Sequence, residues 1–113
     1  MGTLTERAII LVSFPFSDLS QSKLRPAVVL AFAGRDDWIL CQVTSKAYSD
    51  SQAITIDNNS FLEGSLRLTS YARPGKLFTA NSSIMKSQMG ILAKEPFETI
   101  VDAVIKVLRS SLL

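Results

Sequence analysis

Lys23-Leu24-Arg25-Pro26-Ala27-Val28-Val29-Leu30 is the stretch from which the rest of the chain is read. Ala27 to Leu30 is apolar and β-branched in the way a buried strand requires. Pro26 suits the first residue of a strand and holds the residue before it extended. Arg25 is thereby set at a strand mouth behind a polar loop, where a rigid charged fork can enter a groove. An ordinary surface arginine that happens to precede a strand fits these residues equally well.

Working upstream, Ala8-Ile9-Ile10-Leu11-Val12-Ser13-Phe14 is nearly continuous in apolar character and reads as a strand covered on both faces. Next comes Pro15-Phe16-Ser17-Asp18-Leu19-Ser20-Gln21-Ser22-Lys23, a polar, serine-rich loop that is long for a hairpin connection. Ordered loops of that length are often functional.

Downstream, the strand from Pro26 to Phe32 is followed by a Gly34-Arg35-Asp36-Asp37 turn and a third strand, Trp38 to Val43. A hairpin is the simplest pairing of the two. Thr44-Ser45-Lys46 ends the third strand, and a polar loop covers 47–52. Ala53-Ile54-Thr55-Ile56 alternates as a short strand, and Asp57 to Ser60 is a turn. Leu66-Arg67-Leu68-Thr69 alternates too, predicting a half-exposed strand with Arg67 and Thr69 on one face. Pro74-Gly75 marks a turn before a strand from Lys76 to Ala80. Asn81 to Ser83 can cap one helical turn through Met85. Gln88 to Leu92 fits a strand or a connector. Pro96 suits a first helical position, and Phe97, Ile100, Val101, Val104, Ile105 and Leu108 form an amphipathic stripe behind it. Strands followed by one packing helix make a mainly β domain: a small antiparallel barrel or strongly curved sheet with a C-terminal amphipathic helix.

The chain has 113 residues, so 1–113 is read as a single domain, and 47% hydrophobic residues are enough to fill its core. Only 19% are charged, which favours an oligomer. A net charge of +2 does not by itself argue for nucleic acid. The distribution says more. Residues 65–94 carry Arg67, Arg73, Lys76, Lys86 and Lys94 without an acidic residue among them, enough for a phosphate-attracting face or for ordinary solvated charge.

There is no histidine, which removes Ser-His-Asp and Cys-His catalysis and argues against a zinc site. Cys41, the sole cysteine, forms no internal disulfide and reads as a small core residue. That usage, with no secretory signal and no apolar run long enough to span a membrane, fits the cytoplasm.

The order of these segments resembles the MazF/PemK family of toxin endoribonucleases. The likeness runs from Ile9-Ile10-Leu11-Val12-Ser13-Phe14-Pro15-Phe16-Ser17-Asp18 through Lys23 to Leu30 and Val43-Thr44-Ser45. It continues in Gly64-Ser65-Leu66-Arg67, Lys76-Leu77, Met89-Gly90-Ile91-Leu92 and the helix. The resemblance implies an SH3-like barrel, usually a homodimer, and metal-independent, cofactor-free cleavage of single-stranded RNA. It also implies an antitoxin partner whose tail blocks the RNA groove. The family's catalytic arginine matches Arg25 and its catalytic Thr/Ser matches Thr44, with Ser45 beside it. Two positions depart from the pattern. Arg7-Ala8 stands where many members have Gly-Asp, and Ser20 stands where some carry a glutamate, which removes a candidate acid/base group.

RNA brings its own nucleophile, the 2′-OH, and in-line alignment yields a 2′,3′-cyclic phosphate. Arg25 and Thr44 are the donors for the charge that develops on the phosphorane oxygens. Arginine does not give up its proton, so the acceptor is sought at Asp18 first, then Glu6, Lys23 or water. Asp18 also fits as a turn former. Stacking is expected on Phe14, Phe16 or Tyr48, although Phe14 suits the core better. Ser20 and Gln21 of the loop join them, with phosphates led in by Lys23, Lys46, Arg67, Arg73 and Lys76. The alternatives from another class are a CcdB-like binder of gyrase on the same fold and a degenerate toxin kept as a binding module.

Overall fold

A computed structural model of the chain describes residues 4–15, 22–46 and 50–112, the side chains of residues 14, 15, 22 and 23 excepted. Among the described residues, seven strands precede one helix. They are β1 Ala8–Pro15, β2 Ser22–Gly34, β3 Asp37–Thr44, β4 Ile54–Ile56, β5 Phe61–Gly64, β6 Ser70–Asn81 and β7 Met85–Leu92, followed by α1 Lys94–Arg109. All pair antiparallel in one curled sheet of order β4-β6-β3-β2-β1-β7-β5. The mainly β architecture with a C-terminal helix is the one the sequence predicts.

The curl follows from two long strands that change partners and from bulges. β2 pairs β1 through its first half, Ser22 to Val28, and β3 through its second half, Ala27 to Gly34. Register shifts interrupt β1/β7, β2/β3, β3/β6 and β5/β7, and each adds local twist. The β2–β3 hairpin turns through Arg35 (φ 55°) and Asp36 (φ 63°), a left-handed pair whose twist suits hairpin strands.

The continuous apolar run in β1 serves both faces of the sheet. Ile9 joins Val28, Cys41, Val43, Ile56 and Leu92 under the helix, where Ile100 and Val104 close the core. Ile10 and Val12 join Val29, Leu40 and Met85 on the other face. Along α1, which packs on β6 and β4, the stripe is buried at Ile100 and Val104 and exposed by 47% at Ile105 and 61% at Leu108.

Four expectations are corrected. β2 begins at Ser22, so Pro26 is its fifth residue rather than its first. Arg25 stands inside the β1–β2 ladder rather than at a strand mouth, and Pro15, Ser22 and Lys23 belong to strands, because pairing with β1 continues upstream of the proline. Leu66 to Thr69 is a loop between β5 and β6, not a strand. Gly64, at φ 78°, ends β5, and its close pairing with Gly90 leaves no room for a Cβ on either residue. Leu66 then turns inward onto the core while Leu68 is 64% exposed, so the apparent alternation has no ladder behind it. Pro74-Gly75 does not reverse the chain; it lies inside β6. There Arg73 to Lys76 stand against Gln42 alone, and a residue without an N–H fits that interruption of the ladder. Pro96 is the third helical residue rather than the first, still within the turn whose N–H groups have no helical acceptor.

Asn81 caps the single turn Ser82–Ile84, its side chain accepting the Ser83 N–H, as its sequence predicts. Among the described residues, no helix is long and apolar enough to cross a membrane.

Candidate functional site

Arg25 stands against Val12 of β1, and Pro26 against Leu11. The ladder to β3 begins one residue later, at Ala27↔Gln42. Arg25 therefore leaves a strand tied on one side and open on the other. Its side chain is half-buried, with Nε out of contact with solvent. Thr44 is the last residue of β3, paired with Tyr71 of β6 and only 4% exposed. Its Oγ1 accepts the Lys46 N–H at 3.2 Å, which turns the chain away from the sheet and holds Ser45 at the rim.

Arg25, Thr44, Ser45 and Arg67 line one groove of about 420 Å³. Its apolar wall comes from Leu11, Leu24, Pro26, Val43, Leu66 and Met89. Ser70 and Leu68 complete it, with the Ser70 hydroxyl donating to the Leu68 carbonyl at 2.9 Å. Among the described residues no carboxylate lines this groove, so its two guanidinium groups give it a positive field that attracts phosphate. The contribution of Ser70 was not anticipated, because it depends on 66–69 being a loop.

The other basic residues are placed differently. Lys46 is exposed beside Ser45. Lys76 is exposed on β6, away from the groove lining. Arg73 lies outside the groove too, its Nε donating to Asp50 Oδ2 at 3.0 Å. The Gln52 N–H and Arg73 together hold the Asp50 carboxyl below the usual carboxylate range. Burial pushes the Cys41 thiol up to about 12, and it donates to the Arg73 carbonyl at 3.2 Å, so it remains a thiol and not a nucleophile. Lys23 lies on β2 opposite Phe14, the side chains of both being outside the description. Phe16, Asp18, Ser20, Gln21 and Tyr48 all lie outside the described residues.

Residues 5–108 match the family described as PemK-like, MazF-like toxin of type II toxin-antitoxin system. The chain belongs to this toxin family. No curated protein matches it. Solved structures share the fold at low identity. The MazE-MazF complex (Form-III) of Deinococcus radiodurans superposes with a TM-score of 0.73 at 15% identity, covering 93% of this chain and 95% of that one. The Mycobacterium tuberculosis toxin MazF-mt6 gives 0.70 at 15% identity, covering 90% and 96%. An endoribonuclease from a mycobacterial species, in complex with its cognate antitoxin, gives 0.71 at 11% identity, covering 96% and 95%.

Membership gives meaning to one departure from the family pattern. Arg7, where many MazF/PemK members have glycine, sits at φ 79°. Its backbone is held there, with N–H donating to Val29 O at 2.9 Å and carbonyl accepting from Leu92 N–H at 2.8 Å. That conformation is one glycine adopts freely and arginine does not.

Proposed function

We propose that this toxin is a sequence-selective, metal-independent endoribonuclease acting on single-stranded RNA, including mRNA. The observation that carries the proposal is the placement of Arg25 and Thr44, from adjacent strands, in one positively charged groove. The 2′-OH of the substrate attacks the adjacent phosphorus in line. The P–O5′ bond breaks and the departing 5′ oxygen takes a proton from water, leaving a 2′,3′-cyclic phosphate on one fragment and a free 5′-OH on the other. No metal is needed, because the nucleophile belongs to the substrate and side-chain donors meet the developing charge.

Arg25 clamps the phosphorane oxygens through its fork, and the Thr44 hydroxyl adds a third donor. Ser45 supports them from the rim. Arg67, with Lys46 and Lys76 further out, leads the phosphate backbone in. Arg73, held by Asp50, is the weakest of the proposed RNA contacts. Stacking falls to Phe16 and Tyr48, with Ser20, Gln21 and Lys23 as further RNA contacts. Arg25 keeps its own proton, so the 2′-OH proton needs another acceptor, and Asp18 is the residue to substitute first. The toxin works as a cytoplasmic homodimer, and a cognate antitoxin silences it by filling the groove. The antitoxins in the complexes described above support that partner.

The test is incubation of the purified toxin with a long single-stranded RNA in excess EDTA, beside Arg25→Ala. Cleavage that survives EDTA, ends in cyclic phosphate and vanishes in the variant is the expected result. Equal cleavage by both proteins points to a contaminating nuclease and sinks the role of Arg25.

A further inference from the structure

The loop after β5 divides two depressions. One side of it walls the Arg25 groove, and the other closes a second hollow of about 270 Å³. Leu66, Arg67 and Leu68 belong to both. The second hollow is lined mainly by polar groups, with Asp57, Asn58, Asn59 and Thr69 around it and half-buried Phe61 among its apolar residues.

Both sides of the hollow are braced. The Asp57 carboxylate accepts the Asn59 N–H at 2.9 Å and the Ser60 hydroxyl at 3.4 Å, while Ser60 Oγ accepts the Asp57 N–H at 3.1 Å. This reciprocal cap holds the turn through the side chains of Asp57 and Ser60. The carboxamides of Asn58 and Asn59 take no part in it and project from exposed positions. Opposite them, the Ser65 N–H donates to the Met89 carbonyl at 3.3 Å, and Leu66 anchors the loop in the core.

A carboxamide offers donors and an acceptor side by side, the pattern that reads the edge of an unstacked base. Arg67, shared between hollow and groove, is where a phosphate linking two nucleotides would lie. We infer that this hollow reads one base of single-stranded RNA next to the cleaved linkage, with Asn58 and Asn59 determining its identity and Arg67 holding the phosphate between the two sites. The inference rests on the endoribonuclease reading for its ligand, RNA.

The test separates the two. A randomised RNA pool with 2′-fluoro riboses, which lack the attacking hydroxyl, is selected on the wild type, on Asn58→Ala/Asn59→Ala and on Arg67→Ala. The wild type enriches one base at the position the hollow reads, beside its preferences at other positions. The asparagine variant loses that enrichment by roughly tenfold and keeps the preferences at other positions. Arg67→Ala weakens binding across all sequences and flattens its salt dependence. Unchanged thermal unfolding of the variants shows that their folds are intact.

Base enrichment that survives in the asparagine variant overturns the inference, even if that variant binds an antitoxin protein less well. RNA binding by the wild type with no preferred base overturns it too. Failure of the wild type to bind RNA at all sinks both readings. Selective binding, lost in the variant, combined with no cutting of ordinary RNA, sinks the nuclease alone and leaves the pocket standing.

Discussion

Arg25 and Thr44 each lie two residues beyond the Ala27–Gln42 pair, one on β2 and one on β3, and they face the same groove. Each is backed by a further strand, Arg25 by Val12 of β1 and Thr44 by Tyr71 of β6. A site built this way across four neighbouring strands is rigid, and rigidity is what a donor pair for a developing oxyanion requires.

Arg25→Ala and Thr44→Val should each slow single-turnover cleavage of a labelled RNA by roughly a hundredfold to a thousandfold, about 3–4 kcal/mol of barrier. Arg25→Lys should recover little, since a point charge replaces a fork. Thr44→Ser keeps the hydroxyl and its acceptance of the Lys46 N–H, so it should stay within about tenfold of wild type. A Thr44→Val enzyme as fast as wild type would remove Thr44 from the mechanism.

At Arg7 the usual ranking of alanine over glycine should reverse. The left-handed backbone there costs a residue with a Cβ about 1–2 kcal/mol. Arg7→Gly should therefore be more stable than Arg7→Ala by about 1 kcal/mol in urea unfolding. Comparing two truncations, rather than each with arginine, separates backbone strain from loss of the half-buried side chain. Alanine proving the more stable would show that the site bears no strain.

Gly90→Ala tests the brace behind the site. A Cβ there would lie 2.6 Å from the Glu63 carbonyl oxygen and 2.9 Å from the Phe61 ring, so β5 must shift. The expected loss is about 1–3 kcal/mol of stability. RNA binding should weaken with it, because β5 leads directly into the loop that carries Arg67. Unaltered denaturation and binding would contradict the close pairing of Gly64 with Gly90.

The Asp50–Arg73 pair predicts a specific acid response. Gln52 and Arg73 lower the Asp50 carboxyl pKa in the folded state. Its stabilising contribution is therefore complete above the ordinary aspartate value of about 3.9 and is lost as pH falls through the lower folded value. The stability gap between wild type and Asp50→Asn should be level from pH 7 to 5, by urea unfolding, and shrink below about pH 4. The pair is partly exposed, so the gap should be modest and smaller in high salt. A gap that widens on acidification would contradict the assigned direction.

Much of the fold was legible where local pattern and tertiary environment agree. The unbroken apolar run of β1 signalled burial on both faces, and both faces are packed. The stripe of α1 correctly identified Ile100 and Val104. Reading failed where a local signal has two physical outcomes. Leu66-Arg67-Leu68-Thr69 has the period of a strand, but Gly64 ends the neighbouring ladder before any partner can be met. Pro74-Gly75 has the chemistry of a turn, yet a bulge absorbs a missing N–H as readily as a turn does. In the site, no spacing rule linked Arg67 to Arg25. They meet only because the 65–69 loop folds back over the end of the sheet.

The sequence by itself determined the class of fold, the buried run from Ala27 to Leu30 and the absence of histidine chemistry. All three are local: they depend on residue type and on period. Family membership also leaves its trace in the sequence. Only the tertiary structure decided which cations share a groove, which one is tied to Asp50, and that Arg7 occupies a glycine's conformation. Those outcomes depend on strand register and bulges, which are set by contacts between distant parts of the chain.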